Sequence, residues 1–498
     1  MISPFTRLAI AACIACAALP AAGAPRDFFY WVGRINMAST VVTVERGIVP
    51  PPLAGKVARG VAHAIDQGDR PGGKRPDDVL QIEKIITDHA GLDATLIHSG
   101  RSRQDMHATL RAAQLRGELL DVSEALTAVR ARLLDSAARN VDTLVPAYTN
   151  GVQAMPTSYA HYLLAFADAF ARDSERLAQA YARANRSALG TAVLANSSWP
   201  LDRERLAALL GFDGLVVNAY DAGQVNAYDV PIEAANLLGS NAIRVGAFLQ
   251  DVHVQYHHVR PWLLLAPGKT YTSSAMPQKA NPGMIQQTRA LASDVVGAAH
   301  MVTLRAHNVP SGMADYKNSL DDDGGQVVDR SLRMLRRFAD VLDALRIDPQ
   351  RAREELDAEW TTSMELAEAL QRSHAIPFRI GHHFASEIVL YARAHGHTPS
   401  TFPYREAVRI YADSARHDGM QELRLPLDEA AFRLALSAEN MVRTRVGIGG
   451  PQPAEVRRML DSAKEALARD RQWTAQARAR LQASETALDQ AFGALLKH

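Results

Sequence analysis

The stretch QDMHATLRAAQLRGELLDVSEALTAVRARLLDSAARN, residues 104–140, holds no proline and a single glycine, Gly117. Leu115, Leu119, Val122, Leu126, Val129 and Leu133 follow one another at alternating intervals of four and three. That alternation keeps one apolar seam along a helix, the pattern of a helix packed lengthwise on other helices. The reading extends outward from there. A second helix is predicted at about 157–186. A third is predicted after Pro231, where Leu238, Ala242, Val245, Leu249, Val252 and Tyr256 repeat the alternation. A fourth opens at Asn281-Pro282, because Asn is a good N-cap and Pro a good first helical residue. Its buried face is Ile285, Leu291 or Ala292, Val295, Ala299 and Val302. A fifth is predicted at about 325–345. Helices of about 20–35 residues exceed the usual mean of ~11–12. They imply an elongated bundle with seams shared between subunits, since one chain's bundle leaves apolar stripes uncovered. The fold class is therefore mainly α. Residues 104–372 form the central bundle domain, 25–103 an N-terminal domain and 373–498 a C-terminal helical domain. The two end segments read as shorter and more broken, and no repeat is visible.

Composition narrows the function. Of 498 residues, 47% are hydrophobic and 22% charged, which excludes a wholly disordered chain. Fifty-five Lys and Arg against 54 Asp and Glu leave a net charge of +1, with none of the basic surplus of a nucleic-acid or anionic-membrane binder. Residues 1–24 read as a secretory signal peptide: a short basic n-region, an apolar run at 8–19 and a small-residue cleavage site near Ala22-Gly23-Ala24. The expected location is periplasmic or secreted, with no membrane association after cleavage. Both cysteines, Cys13 and Cys16, fall in this segment. The mature chain thus has no thiol for disulfides, nucleophilic catalysis or zinc.

Three segments carry unusual chemistry. His98-Ser99-Gly100-Arg101-Ser102-Arg103-Gln104-Asp105 opens the first long helix. Glycine, hydroxyls and two arginines before a helix N-terminus suit a carboxylate, although a solvated capping turn has the same composition. Pro146–Asn150, followed by Met155-Pro156, reads as a loop. Thr272-Ser273-Ser274-Ala275-Met276-Pro277-Gln278-Lys279-Ala280-Asn281-Pro282 is a polar loop delivered to a helix N-terminus. Its hydroxyls, lysine and asparagine can bind a carboxylate and one serine can act as base; an exposed flexible loop is the plain alternative.

Residues Ser273–Pro282 resemble the signature loop of the fumarase/aspartase superfamily, Gly-Ser-Ser-x-Met-Pro-x-Lys-x-Asn-Pro. Gln278 before Lys279, together with His98–Asp105, resembles the argininosuccinate lyase branch. Pro200-Leu201-Asp202-Arg203, Gly211-Phe212-Asp213, Asn218–Ala222, Ile376-Pro377-Phe378-Arg379 and Gly449-Gly450-Pro451 extend the likeness along nearly the whole mature chain. The resemblance implies a mainly α, three-domain fold, a homotetramer and active sites where segments of different subunits meet. It implies elimination of an amine from an N-substituted succinate or aspartate, releasing fumarate, with no cofactor and no metal. Ser273 would be the base. Lys279 and Asn281 would stabilise the dianionic intermediate. Ser102, Arg103, Gln104 and Thr149 would hold carboxylates, and the loop would close over the substrate.

The departures bear on the leaving group. Asn150 stands where the family has a proton-donating His, and Asn donates a hydrogen bond but supplies no proton. Val79 occupies a second His position, although Glu83 is matched. Gln104 replaces Asn and Thr272 replaces Gly. In 314–323 the family's Tyr, Gln and Lys align with Asp315, Leu320 and Asp323. The carboxylate-gripping half survives and the leaving-group half is rewritten. Two function classes follow: an active C–N lyase, or a non-catalytic relative that binds a dicarboxylate or serves a structural role. His253, His257 and His258 have helical metal-ligand spacing without an acidic third ligand and read as helix surface. Asp321–Asp323 read as the acidic first turn of a helix.

Overall fold

The computed structural model describes residues 25–497. The signal segment read at 1–24 lies outside the described residues. Helices α1 (Phe28–Glu45), α2 (Pro51–Asp69) and α3 (Val79–Ala90) enclose a first core that includes Val32, Ile35, Val57, Ile82 and Ile86. Asp27 caps α1 by accepting from Tyr30 N, and the same carboxylate holds Arg75. Ser102 then caps α4 (Arg103–Arg139), a rod of 37 residues. Its hydroxyl accepts from Gln104 N, while Asp105 accepts from Ser102 N at 2.8 Å. These two reciprocal bonds make a capping box.

Strands β1 (Leu144–Thr149) and β2 (Val152–Ser158) form a hairpin beyond the far end of α4. Next come α5 (Tyr159–Ala184), α6 (Arg203–Leu209), a π-turn at Asp221–Val225 and α7 (Asn226–Gln255). Strand β3 (Leu263–Leu265) leads to β4 (Tyr271–Thr272) and β5 (Ala280–Asn281), which pair with each other ahead of α8 (Gly283–Ala306). Helix α9 (Ala314–Ala344) returns to β6 (Leu345–Ile347), which pairs with β3. Helices α4, α5, α7, α8 and α9 thus form the expected central bundle. Phe248 sits at its centre, fully buried, with its ring 5.0 Å from Phe166 and 5.3 Å from Phe338. Polar staples cross the same core. Asp173 takes Asn241 at 2.9 Å and Arg244 Nε at 2.8 Å, tying α5 to α7.

Helix α10 (Pro349–Ala358) packs on β1 and puts Ala352 into the central core. A third core, with Leu366, Phe384, Phe402, Tyr411 and Phe432, lies among α11 (Ser363–His374), α12 (Phe378–His395), α13 (Tyr404–His417) and α14 (Glu429–Ala435), and α15 (Ala438–Thr444) packs on β2. Helix α16 (Pro453–Leu495) is, at 43 residues, the longest among the described residues. It sets Leu460 and Leu467 into the central core and Leu488 and Phe492 into the first. The sequence reading expected shorter elements there. Helix α16 buries only a sparse stripe, so its apolar period is faint.

Four other expectations need correction. The seams Leu119–Leu133 and Leu238–Val252 are buried within one chain, not between chains. Apolar residues left open on the bundle include Ile243, Val254, Val296, Met301 and Leu304. Helix α7 starts before Pro231, not after it. Pro231 lies near the N-terminal end, preceded by helical turns, where it removes one backbone bond without ending the helix. Helix α8 is capped by Pro282, not Asn281, whose side chain reaches back to Tyr271 O at 3.1 Å. Helix α9 begins at Ala314 and runs through Gly324 and Gly325, so Asp321–Asp323 lie inside it. Burial of Leu320, Val327 and Val328 outweighs a cost of about 1 kcal/mol per glycine.

A polar knot braces the turn into α4. The buried Arg101 guanidinium donates to Asn36 Oδ1 at 2.7 Å, Ser39 Oγ at 2.5 Å and His98 Nδ1 at 3.2 Å. His98 Nε2 lies 3.1 Å from Glu83. Burial and the neighbouring Arg101 push His98 down to about 2, so the ring is neutral and donates to Glu83 through Nε2–H.

Two expectations follow for stability. Phe248→Ala should cost about 3–5 kcal/mol, read as a lower denaturant midpoint in a urea titration. The unfolded His98 binds a proton near pH 6.5 and the folded one does not. Stability should therefore fall as pH drops below 6.5, by up to about 1.4 kcal/mol per unit from this group. His98→Gln should flatten that slope between pH 6.5 and 4.5 in urea titrations; an unchanged slope would assign the acid sensitivity elsewhere.

Candidate active site

The carboxylate-gripping turn is built on Asp105. Its Oδ1 accepts from Ser102 N, and its Oδ2 accepts from Thr191 N at 2.9 Å and Ala192 N at 3.1 Å. Burial raises its carboxyl to about 6, while these backbone donors and Arg101 pull in the opposite direction. The facing segment is strained. Ala192, Val193 and Asn196 have φ of 45°, 82° and 66°. Val193 is the costliest, since a β-branched residue avoids the left-handed region. Its carbonyl oxygen would lie 2.6 Å from a Cβ on Gly223, so only glycine fits that position in the π-turn.

Ser102 is half-buried at the helix mouth, and the exposed Arg103 side chain lies 3.9 Å from Asp78. Gln104 Oε1 accepts from Gln224 Nε2 at 3.1 Å. Gln224 in turn accepts from the buried Lys317, whose Nζ is 2.6 Å from Gln224 Oε1 and 2.6 Å from Gly223 O. Sequence reasoning named neither Gln224 nor Lys317, because their partners are remote in sequence. Asp315 lies in the first turn of α9; its side chain lies outside the described residues. Asp323 pairs with Arg305 of α8 at 3.0 Å, so its charge is already compensated.

Thr149 and Asn150 are exposed at the tip of the β1–β2 hairpin. Thr149 pairs with Val152, which leaves Asn150-Gly151 as a two-residue turn with φ of 53° and 74°. Both values are positive, the type I′ turn for which Asn-Gly is the strongest sequence signal. The loop expected at Pro146–Asn150 is instead the end of strand β1 and the first residue of this turn. Glu355 of α10, itself buried, anchors the hairpin. It accepts from Tyr148 and Gln153 at 2.7 Å each and from Arg351 at 3.1 Å.

The signature loop is a short hairpin. Strands β4 and β5 hold its base and residues 274–280 are exposed. Ser273 Oγ accepts from Ala275 N at 3.3 Å and Met276 N at 3.2 Å. Lys279 O accepts from Ser273 N and Lys279 N donates to Met276 O. Asn281 ties the two arms through Tyr271 O.

These groups do not meet within one chain. The turn at 102–104 opens α4, and the hairpin tip lies past the helix's other end, roughly 55 Å along the rod at 1.5 Å per residue. The serine loop sits between β3 and α8, at the end where α7 and α9 finish. Among the described residues no hydrogen bond or ion pair joins the three segments. His253 and His257 have rings 5.9 Å apart. Among the described residues no group of three or more His, Cys, Asp or Glu is arranged to hold a metal ion.

The lyase family profile matches residues 78–297. The chain is 30% identical to argininosuccinate lyase of Methanococcoides burtonii over 442 residues, 87% of this chain and 86% of that one. It is 31% identical to argininosuccinate lyase of Cupriavidus necator over 450 residues, 87% and 90% of the two chains. An EDDS lyase variant with bound fumarate superposes with a TM-score of 0.83 at 25% identity, covering 94% of this chain and 92% of that one. The chain belongs to the argininosuccinate lyase-like branch of the fumarase/aspartase superfamily and is a carbon–nitrogen lyase that eliminates an amine to release fumarate.

Proposed function

We propose that the substrate is an N-substituted aspartate whose departing half is a cationic amine, and that Ser273 is the base. The observation that carries the reading is the environment of Ser273. A free serine is a poor base, but an alkoxide that accepts two backbone N–H bonds is stabilised, and Ala275 and Met276 already point theirs at Oγ. Ser273 removes the proton on the carbon next to a carboxylate. The electron pair moves into that carboxylate as a dianion, which Lys279 and Asn281 stabilise, and returns to form the double bond of fumarate as C–N breaks. Ser102, Arg103, Gln104 and Thr149 grip the carboxylates.

The leaving nitrogen departs with its own proton, because Asn150 cannot supply one. A simple alkylamine nitrogen is cationic at neutral pH and fits that requirement. Asp315 stands where the family has Tyr, so the segment that serves the leaving group in the family carries an added acidic residue in this sequence. Asp323 contributes little, being paired with Arg305.

The assembly we propose is a homotetramer. Two observations support it: the grip and the base lie at opposite ends of one bundle, and Ile243, Val296, Met301 and Leu304 leave an apolar face uncovered. Antiparallel neighbours would cover that face and bring the ends together. The mature protein, released from its signal segment, acts in the periplasm or outside the cell.

Mature protein should release fumarate, followed by its absorbance, from N-alkylaspartates with cationic amine substituents and only weakly from argininosuccinate. Argininosuccinate cleavage as fast as the best alternative would overturn the leaving-group reading. Ser273→Ala should lower turnover at least about 100-fold with the fold intact. Light scattering should give a tetramer; a stable monomer at micromolar concentration would refute the shared site. Cell fractionation should recover the protein outside the cytoplasm, and retention inside would refute the location.

A further inference from the structure

We propose that Lys317, acting through Gln224, sets which end of the Gln104 amide faces the substrate and makes that position a donor to a carboxylate. The inference rests on the reading of Ser102–Gln104 as the carboxylate grip and deepens it. Lys317 is a positioning residue, remote from the reacting atoms.

Hydrogen-bond polarity fixes each amide in turn. A lysine ammonium donates and never accepts. Lys317 Nζ is 3% exposed as a residue and lies 2.6 Å from both Gly223 O and Gln224 Oε1. The Gly223 carbonyl is fixed in place, since the π-turn is wedged against Val193 O and admits no side chain at Gly223. Gln224 is 1% exposed, so no bulk water can exchange with its amide. With its oxygen engaged by Lys317, its NH2 must point the other way. It does, donating to Gln104 Oε1 at 3.1 Å. Gln104 therefore has its oxygen committed inward, and its own NH2 is the end left to face outward. That end sits in the first turn of α4, beside Arg103, where the helix N-terminus already favours negative charge.

Reversing Gln104 would turn a carbonyl oxygen toward the carboxylate and convert an attraction into a repulsion. Lys317 is also 5.8 Å from the centre of the Tyr228 ring, and burial together with Arg111 lowers its pKa. These contacts hold the ammonium at one address. Gln104 has two ends that an unguided side chain could present equally well. The buried lysine removes that ambiguity.

Gln224→Glu tests this directly. Glutamate has nearly the same shape and keeps its pairing with Lys317, but its second oxygen can only accept. Gln104 must then donate inward and show its oxygen outward. Fumarate is the probe, measured by calorimetric titration of the intact mature protein. The expected result is a Kd raised about tenfold or more, with thermal stability unchanged. The KM for the lyase substrate should rise by a similar factor, with kcat within about threefold. Lys317→Met, which frees Gln224 to rotate, should weaken fumarate binding in the same direction but less.

In a Gln104→Met background, Gln224→Glu should have no further effect on fumarate. A role confined to holding the turn together would persist in that background. Equal fumarate affinity for wild type and Gln224→Glu would overturn the relay and leave the carboxylate reading standing. Wild-type protein that does not bind fumarate would overturn the carboxylate reading, and the relay with it. If Gln224→Glu does not fold, fumarate binding by Lys317→Met that equals wild type overturns the proposal.

Discussion

A helix of 37 residues cannot bring its own ends together, and this constraint organises the molecule. One end of α4 carries the capped, arginine-bearing turn at 102–104, and the hairpin with Thr149 and Asn150 begins just past the other. Helices α7, α8 and α9 run alongside and place the serine loop at the hairpin's end of the bundle. The rigidity comes from packing. Leu119, Val122, Leu126, Val129 and Leu133 bury the C-terminal half of α4 in the central core, Met106 and Leu110 bury its first turns in the first core, and α16 adds Leu460 and Leu467 to the central one. No hinge inside the chain could bridge such a distance without dismantling that core.

Much of this was legible in the sequence, for a physical reason. Long seams at alternating intervals of three and four admit few readings, so the bundle and the mainly helical class followed from residues 104–140 and 238–256. The Ser273–Pro282 loop was legible as a motif because its residues are adjacent in the chain. The missing parts depend on contacts between distant residues. Nothing local marks Gln224 and Lys317 as partners of Gln104, or Glu355 as the anchor of the 144–158 hairpin. Local signals also misled where tertiary packing outweighed them. Gly324-Gly325 and the run of aspartates read as a helix start, yet Leu320 and Val327 draw that stretch into the core. At Asn150 the local signal and the structure agree: Asn-Gly favours two successive positive φ values, a backbone role independent of any proton donor at that position.

The segment facing Asp105 shows how the grip is kept in shape. Ala192, Val193 and Asn196 sit in the left-handed region, at a cost on the order of 1–3 kcal/mol each. Backbone N–H groups of Thr191 and Ala192 offset part of that by donating to a carboxylate that has almost no solvent to turn to. The strain and the buried charge thus hold each other in place, and between them they fix the geometry of Gly223 and the π-turn.

The relay from the Lys317 ammonium through Gln224 to Gln104 has a consequence for how this pocket can change. Each member of the chain dictates the orientation of the next, so the three positions behave as a single hereditary unit. A substitution at one of them is judged by what the other two present, and its effect can change sign when a partner changes. Under this relay a workable change in the pocket takes paired replacements, and a residue transplanted alone into position 104 arrives without the neighbours that give it meaning.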